Sequence, residues 1–514
     1  MEICSEEMMK RIYILLLFAL PVNYAAAQTY ILPSDCQANY IRDIYCDTSG
    51  TVHTSLRPYT VKMILAEERY IPYSYYYQKR LIAGKKSFLW EFSPLVTTGL
   101  NVDNEVIGNN FSAGAGIKQT IYYKNNFTAY FSAMPVSTSF DSIITKYIDS
   151  TKVIPHESNY FSRSGNRFNY LTMRGGISWK TAKWFHLFAG YDKTFFGDGI
   201  RSLFWSNNSA PFWQVRATVL TRKISYVMLY SFLHDDDNEV PGIHYQNKYS
   251  SAHYLNWNIG KRLQLNFFEA VVWRGNDSLA LRGYDVNYIN PIIFYRPVEF
   301  NLGSPDNVLI GIGGRLRLFK ALHLYGQFIF DEFKLSEVKA KTGWWANKYG
   351  ILAGARSVVN IDDKRFMLIQ AEISGARPFT YSHINSLENF GNQMQPIAHP
   401  MGANFRDAWL KISYTPSRWT FSLAFNNALY RSDSLEKNMG YNIYRSFFDS
   451  RNEYGNTWLQ GIPQSRTMVE VKAAWWLNFN WNMTAEGGIR YYNLQYDANN
   501  IKQIQVFAGL VTRF

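Results

Sequence analysis

The segment Val308–Phe333 reads VLIGIGGRLRLFKALHLYGQFIFDEF, and its alternating pattern indicates the fold class. In its first half every second residue, from Val308 to Leu318, is apolar or glycine, whereas Arg315 and Arg317 lie between them. The second half alternates in the same way after a short break. A period of two, with one apolar and one polar face, predicts two antiparallel strands in the wall of a membrane barrel.

The same alternation recurs along the chain from residue 88 onward. Short turns such as Lys124-Asn125 and Lys320-Ala321 fill every second junction, and mostly long loops fill the others. This asymmetry is typical of bacterial outer-membrane barrels, whereas a soluble β-propeller would not alternate its connections in this way. We therefore predict an all-β fold, an eighteen-stranded antiparallel transmembrane β-barrel, with strands at residues 88–100, 111–123, 126–136, 168–179, 184–193, 212–220, 224–233, 251–260, 263–274, 306–319, 322–333, 348–359, 365–376, 405–414, 418–430, 465–479, 481–494 and 502–514.

Composition and the final segment point to the same class. Aromatic residues make up 17% of the 514 residues, and no apolar run reaches the ~18 residues that a membrane helix needs. A membrane protein without helical spans must close a sheet to satisfy its backbone, although composition alone leaves a soluble aromatic-rich β enzyme open. The last segment alternates from Ile504 to Phe514, an aromatic residue of the kind that outer-membrane insertion machinery reads. We therefore predict the cell outer membrane as the location, with its lipids and insertion machinery as partners.

The first residues have the layout of a secretory signal peptide. Lys10-Arg11 precede the short apolar run Ile12–Leu20, and Ala25-Ala26-Ala27 offers a cleavage site. We expect residues 1–27 to be the signal peptide, residues 28–87 a small periplasmic segment with short helices, and residues 88–514 the barrel. Within the second of these, Cys36 and Cys46 are candidates for a disulfide in an oxidising compartment, or else two free thiols.

The charge pattern does not indicate a nucleic-acid partner. The formal net charge is +13, but the basic residues are scattered and form no block. A catalytic constellation is also not evident, so we expect no enzyme, no cofactor and no metal. Two weaker alternatives rest on one loop: calcium at Asp235, Asp237 and Glu239, or a rim hydrolase that uses His244 and Asp237.

Two loop segments, Phe195–Trp213 and Asn287–Asn307, mix aromatic side chains with Arg, Asp and Asn. Sugar rings stack on aromatic faces while polar groups hold their hydroxyls, so a glycan-binding surface is one interpretation. Loops that fold into the barrel mouth and pack there are the other. The candidate ligand-binding residues are Asp198, Arg201, Trp205, Trp213, Tyr295, Arg296, Glu299 and Asp306.

These segments also carry a family resemblance. FGDGIRSL at Phe196–Leu203, NPIIFYRPVEF at Asn290–Phe300, GSPDN at Gly303–Asn307 and YGQFIFDEF at Tyr325–Phe333 resemble the Wzi capsule-assembly family, and more narrowly its Bacteroidota branch, often named after the gliding-motility protein RemB. The resemblance implies an eighteen-stranded outer-membrane barrel with a small periplasmic helical part that binds capsular polysaccharide. The RemB branch implies a role in surface motility and adhesion. It implies no catalytic residues.

We therefore expect a monomeric outer-membrane protein that binds or organises extracellular or capsular polysaccharide, with a role in capsule assembly or in gliding motility and adhesion. A porin-like diffusion channel is the alternative, because the charges predicted on the inner face could line a pore as well as pair and fill it.

Overall fold

A computed structural model describes residues 30–31, 45, 52–60, 88–103, 110–124, 126–235, 246–277, 280–293, 306–362, 365–434, 436–449, 451–478, 481–496 and 499–512. Within these ranges, eighteen long antiparallel strands close into one barrel, which confirms the predicted fold class. The strands are β1 Phe88–Asp103, β2 Asn110–Tyr123, β3 Phe127–Ser139, β4 Arg167–Lys180, β5 Phe185–Asp192, β6 Phe212–Leu220, β7 Ile224–Asp235, β8 Gln246–Asn258, β9 Leu263–Arg274, β10 Asn307–Arg317, β11 Leu322–Phe330, β12 Tyr349–Asn360, β13 Arg365–Ala376, β14 Phe405–Pro416, β15 Trp419–Ser432, β16 Ile462–Asn478, β17 Met483–Tyr496 and β18 Asn499–Thr512.

The barrel closes between its last and first strands. In that pairing Gln505 lies opposite Asp103, and Val511 lies opposite Thr97. Closure leaves this sheet without an open edge, as a bilayer requires, because unpaired backbone groups cannot be satisfied by lipid. Phe514 lies outside the described residues, so its role in insertion stays a prediction.

The connections are asymmetric in the predicted sense. Short turns join β2 to β3, β4 to β5 and the later pairs on that side, whereas the long connections follow β3, β5, β9, β11, β13 and β15. Residues 236–245, between β7 and β8, are also on this side. Two links on the long-loop side are brief: residues 104–109 between β1 and β2, and residues 497–498 between β17 and β18. Because bacterial barrels place their short turns in the periplasm, the long-loop side is the extracellular face.

The hairpin Val308–Phe333 has the faces that its sequence predicts. Ile312 is 45% exposed and Leu324 is 38% exposed, on the outside, whereas His323 and Tyr325 are buried on the inside. The same outward face carries exposed apolar side chains all around the barrel, including Trp90, Ile177, Trp179, Val215, Trp257, Ile373, Phe421, Val471, Ile489 and Val506. A closed sheet with an apolar exterior is an outer-membrane barrel. Among the described residues, no helix is long and apolar enough to cross a membrane.

The largest error in the predicted strand bounds concerns β8. The sequence predicts its start at residue 251, but it begins at Gln246, in a polar stretch. The reason is an internal ion pair: the side chain of Lys248 is fully buried, and its Nζ lies 2.5 Å from Asp235 Oδ2 on β7. Paired charges replace apolar alternation here, so the periodicity of the sequence does not reveal this end of the strand.

Much of the lumen is filled by two segments, residues 52–57 and residues 194–206, which we call the plug. Residues 195–196 pair with residues 57–56 in a short antiparallel ladder, so the two segments hold each other. Leu56, Phe196 and Leu203 of the plug are buried in one core with the inward faces of β7 to β11. Residues 52–57, part of the predicted periplasmic segment, thus lie inside the barrel. The predicted signal peptide and domain bounds stay predictions, and Cys36 and Cys46 lie outside the described residues.

Within the described ranges, the extracellular loops contain two α-helices, α1 Ser142–Thr151 and α2 Leu335–Ala340. Asp141 caps α1, because one of its carboxylate oxygens accepts a hydrogen bond of 2.8 Å from the backbone N–H of Ile144. Its other oxygen accepts one of 2.8 Å from Gln505 of β18. The same carboxylate therefore begins the helix and fastens it to the barrel wall.

Candidate functional site

The FGDGIRSL segment forms the tip of the plug. Gly197 has φ +139°, a backbone conformation that L side chains rarely adopt. A Cβ at Gly199 would lie 2.4 Å from the carbonyl oxygen of Arg201 and 2.5 Å from Glu372 Oε2. The two glycines therefore allow a tight turn of the plug to approach β13 closely.

Glu372, on the inner face of β13, anchors this turn. Its carboxylate accepts hydrogen bonds from the backbone N–H groups of Ile200 at 2.7 Å and Arg201 at 2.9 Å, and from the Tyr325 hydroxyl at 2.9 Å. Hydrogen bonds to a charged acceptor are the stronger class. This inward-facing carboxylate thus fixes where the loop lies in the lumen.

Asp198, the first predicted ligand-binding residue, joins the two halves of the plug. It is 3% exposed, and its Oδ1 accepts hydrogen bonds from the Tyr45 hydroxyl at 2.8 Å and from Thr54 Oγ1 at 2.5 Å. These partners belong to the N-terminal part of the chain. Asp198 is therefore committed to internal contacts.

Arg201 is the predicted residue that reaches open space in the lumen. Its guanidinium lies 5.0 Å from the ring centre of Trp409 on β14, and its Nε lies 3.9 Å from Asp407 Oδ2. Its side chain remains 24% exposed. An arginine held over an aromatic ring keeps its planar donors available to an anion.

The two predicted tryptophans lie in different environments. Trp205 is fully buried, packed against Phe212 and Phe390. Trp213 is 60% exposed on the outward face of β6, beside Tyr191. The first is core, and the second belongs to the aromatic surface that meets lipid.

The described part of the second loop segment lies on the outside of the barrel. Residues 280–293, which we call the strap, lie against the outer wall of β7 to β9. The Tyr226 and Tyr230 hydroxyls donate hydrogen bonds to the carbonyl oxygens of Pro291 at 2.7 Å and Ile289 at 3.0 Å. The strap therefore covers wall residues that would otherwise face lipid.

Asp306 holds the strap to the start of β10. Its carboxylate accepts two hydrogen bonds from Arg282, at 2.6 Å and 2.8 Å, and one of 2.6 Å from the Tyr288 hydroxyl. Arg282 also contacts Asp285 at 2.9 Å. Asp306 is thus buried among internal partners, whereas Tyr295, Arg296 and Glu299 lie outside the described residues.

A cavity of about 540 Å³ remains in the lumen between the plug and the inner faces of β12 to β17. Plug residues Arg57, Phe195 and Arg201 line one side of it. The other side is polar wall, with Lys411, Ser413, Thr420, Ser422, Asn426, Arg466, Glu470, Lys472 and Arg490. Some of these inward charges form ion pairs, as Glu470 does with Arg490. The charged side chains also line the cavity, so both arrangements that the sequence allowed are present.

The extracellular rim carries a cluster that the sequence did not single out. Residues 331–348 and 433–461 meet there, and we call Trp344, Trp345, Phe447, Phe448, Arg451, Glu453 and Tyr454 the rim cluster. The Arg451 guanidinium lies 4.2 Å from the ring centre of Trp345 and 4.4 Å from that of Phe448. Phe448 and Tyr454 are each 54% exposed. The cluster residues of one loop lie more than ninety positions from those of the other, so only the fold brings them together.

A buried polar junction joins three extracellular loops. The Lys193 Nζ donates a hydrogen bond of 2.5 Å to the carbonyl oxygen of His156, whose ring contacts the carbonyl of Asn208 at 2.9 Å. Gln395 accepts the backbone N–H of His156 at 2.6 Å. Burial and the nearby Lys193 lower the pKa of His156 to about 4. Burial and Arg174 lower the pKa of Lys193 to about 7.

The acidic loop offers no metal site in the part that the structure describes. Asp235 pairs with Lys248, and its Oδ1 accepts the backbone N–H of Met394 at 2.6 Å. Asp237, Glu239 and His244 lie outside the described residues. Across the described ranges, no group of three His, Cys, Asp or Glu residues is arranged to hold a metal ion.

With this geometry in hand, comparison with known proteins shows a related fold. The Escherichia coli protein Wzi, described as an outer-membrane carbohydrate-binding β-barrel involved in group 1 capsule assembly, superposes with a TM-score of 0.59 at 12% identity, over 95% of this chain and 100% of Wzi. The fold of this chain is Wzi-like.

Two Pseudomonas aeruginosa barrels also align. OccK5 (OpdH) gives a TM-score of 0.43 at 9% identity, over 83% of this chain and 98% of its own. OprD gives 0.43 at 10% identity, over 84% and 98%. No protein-family model matches the sequence, and no curated protein sequence matches it either.

Proposed function

We propose that this protein binds or organises extracellular polysaccharide at the outer face of the outer membrane. The observation that carries the proposal is the rim cluster, where Phe448 and Tyr454 expose aromatic faces beside Arg451 and Glu453. Aromatic faces stack on sugar rings, and charged groups hydrogen-bond to their hydroxyls, so the cluster has the two elements of a glycan surface.

Two further features support the proposal. The extracellular loops are tied to each other and to the plug by buried hydrogen bonds, such as Ser206 Oγ to the carbonyl of Ile397 at 2.8 Å. An ordered surface loses less conformational entropy when a ligand binds. The barrel also shares its fold with Wzi, which is itself described as carbohydrate-binding.

A variant pair tests the rim cluster. We expect Phe448→Ala with Tyr454→Ala to weaken binding of the purified barrel to immobilised host surface polysaccharide at least tenfold, measured by surface plasmon resonance. Phe161→Ala is the matched control, because Phe161 is 69% exposed on a different loop hairpin. Equal losses in both variants, or none in either, would contradict a binding role for this cluster.

The cellular role that we propose is capsule assembly or, following the resemblance to the RemB branch, gliding motility and adhesion. A deletion strain scored for capsule staining and for spreading on agar separates these roles. Loss of capsule with normal spreading supports the first, and the reverse result supports the second. Normal behaviour in both assays would contradict the proposal.

The molecular setting is also proposed here. We expect the exported chain to act as a monomer in contact with outer-membrane lipids, after insertion by the machinery that recognises its last strand. Among the predicted ligand-binding residues, Arg201 lines the lumen cavity. Tyr295, Arg296 and Glu299 remain proposed contacts.

A porin-like channel is the second candidate, and the cavity between the plug and the inner wall favours it. Planar-bilayer recording decides between the two. Steady ohmic current through the wild-type protein would support a channel, whereas the absence of current would support a plugged binding protein.

A further inference from the structure

A groove lies on the outer wall of the barrel, at the extracellular ends of β10 and β11. Val308 and Ile310 are on the same face of β10 as Ile312, which is 45% exposed on the outside. Phe330 lies opposite Ile310 in the register of the two strands. The groove has a volume of about 380 Å³, and its apolar lining consists of Val308, Ile310, Phe330, Phe333 and Trp344. It is therefore part of the wall that faces lipid, at the level of the outer leaflet.

Aromatic rings mark this level as the boundary between hydrocarbon and head groups. The ring centre of Phe330 lies 6.0 Å from that of Phe328 and 6.4 Å from that of Phe333. Tyr349 follows, 6.2 Å from Phe333. Phe333 is 44% exposed, and Leu335 at the start of α2 is 54% exposed. Girdles of aromatic residues lie at the two interfaces of outer-membrane barrels, so the groove begins beside acyl chains and ends where head groups begin.

Lys334 places a positive charge at the upper end of the groove. Its side chain is 58% exposed, and its Nζ lies 5.5 Å from the ring centre of Trp344. Its partner is Glu337 at 3.2 Å, and ion pairs at the protein surface contribute little to stability. A lysine whose stem lies on apolar surface while its ammonium group reaches water is typical of membrane interfaces. This ammonium group is therefore placed to contact a phosphate of a lipid head group.

The carboxylates in the lining of the groove are held by an internal cation. Asp331 and Glu332 both contact the Nζ of Lys348, at 3.0 Å and 3.3 Å, and the side chain of Lys348 is fully buried. Three lysines of the same loop are exposed: Lys334, Lys339 and Lys341. The charge that this loop presents to solvent is therefore mainly basic, which favours an anionic head group.

Trp344 connects the groove to the rim cluster. It lines the groove, and its Nε1 donates a hydrogen bond of 3.1 Å to Glu453 Oε1. A lipid in the groove would therefore carry its head group next to the residues that we propose to bind glycan. The apolar groove, the lysine and the neighbouring aromatic surface suit three parts of one molecule: an acyl chain, a phosphate and a sugar.

We infer that the groove binds a phosphorylated glycolipid of the outer leaflet. One acyl chain lies on Val308 and Ile310, the phosphate contacts Lys334, and the sugar lies beside Trp344. The occupant is a membrane lipid because the groove continues the lipid-facing wall of β10 and β11. The sugar in the head group rests on the proposed function, whereas the acyl chain and the phosphate rest on the groove and its charge alone.

Four lipids test the chemistry of the site: lipid A, dephosphorylated lipid A, phosphatidylglycerol and phosphatidylcholine. Native mass spectrometry of the purified barrel in detergent measures how much of each is bound. We expect lipid A to bind at least fivefold more tightly than each of the other three. Equal binding of dephosphorylated lipid A would remove the phosphate from the inference, and equal binding of phosphatidylglycerol would remove the sugar. Equal binding of phosphatidylcholine would show only the unselective lipid layer around a barrel. Each of these results would overturn the inference.

Two variant pairs locate the bound lipid. Ile310→Trp fills the groove and should weaken lipid A binding at least tenfold, whereas Ile312→Trp, at the next outward position of β10, should leave it unchanged. Lys334→Gln should weaken it about fivefold, which is the contribution of one lysine close to an anionic head group. Lys146→Gln, at an exposed position of α1, is the control for a lost surface charge. Wild-type affinity in Ile310→Trp or in Lys334→Gln would overturn the inference, and the exposed Lys334 tests it even where Ile310→Trp does not fold.

The proposed function and this inference can fail separately. The Phe448 and Tyr454 double variant should keep its affinity for lipid A while it loses polymer binding, and Lys334→Gln should keep polymer binding. If polymer binding persists and lipid A does not bind, the groove inference fails and the rim proposal stands. If lipid A binds and polymer does not, the rim proposal fails and the lipid site stands.

Discussion

Glu372→Gln should release the tip of the plug while the barrel stays closed. In the wild type the carboxylate accepts three hydrogen bonds, two from plug N–H groups and one from Tyr325. The glutamine amide keeps one acceptor oxygen and turns an NH₂ group toward a donor, so at least one buried N–H loses its partner. Hydrogen bonds to charged groups contribute ~1.5–3 kcal/mol each. We expect the plug tip to lose about 3 kcal/mol, which is roughly a hundredfold in its opening equilibrium.

Hydrogen–deuterium exchange of the purified protein measures this opening directly. The amides of residues 197–203 should exchange roughly a hundredfold faster in Glu372→Gln, with the barrel strands unchanged. Glu486→Gln is the matched control, because Glu486 also faces the lumen and lies 3.8 Å from Lys472. If residues 197–203 keep their wild-type protection in Glu372→Gln, the assignment of Glu372 as the anchor is wrong.

Three further predictions follow from the same geometry. Gly199→Ala should speed exchange of the plug tip as Glu372→Gln does, because the added Cβ would lie 2.5 Å from Glu372 Oε2. Gly165→Ala is a control for backbone strain alone, because Gly165 has a positive φ and an added Cβ there would have no heavy atom within 4 Å. Arg282→Ala should leave the buried Asp306 carboxylate without its main partner and loosen the strap by about 3–5 kcal/mol. Limited proteolysis should then cleave within residues 280–293, and a protein that stays intact would contradict this prediction. The pKa of His156 is about 4 in the folded protein against the ordinary 6.5, so this histidine becomes protonated at a lower pH in the folded state than in the unfolded chain. The contribution of His156 to the stability of the junction should therefore be fully present above pH 6.5 and fall by up to about 3 kcal/mol between pH 6.5 and pH 4. Exchange of residues 153–159 should show this loss, and His156→Gln should flatten it over that pH range.

The sequence predicts the barrel well because its signal is local. Alternation along Val308–Phe333 needs only the two faces of a strand, and lipid on one side makes those faces chemically distinct. Where the surroundings of a strand change, the apolar alternation no longer predicts the bounds of the strand. Lys248 hides the start of β8 because a buried ion pair replaces the apolar pattern.

The candidate site is less accessible to sequence reasoning. Phe195–Trp213 and Asn287–Asn307 have similar compositions, yet the first enters the lumen and the described part of the second lies on the outer wall. The composition of a loop indicates that the loop is ordered, but it does not indicate which surface the loop packs against. The rim cluster and the lumen cavity combine residues from distant strands and loops, and long-range proximity leaves no local pattern. The motif residue Asp198 was therefore easier to find in the sequence than to interpret.

Mapping of the bound polysaccharide would show whether the extracellular loops bind glycan. Host surface polysaccharide carrying a photoreactive cross-linker would be bound to the wild-type barrel, irradiated and digested, and the adducts located by mass spectrometry. We expect saturable adducts on peptides from residues 331–348 and 433–461, and fewer adducts in the Phe448 and Tyr454 double variant. Adducts confined to the periplasmic turns, or none at saturating polysaccharide, would contradict a glycan-binding extracellular face.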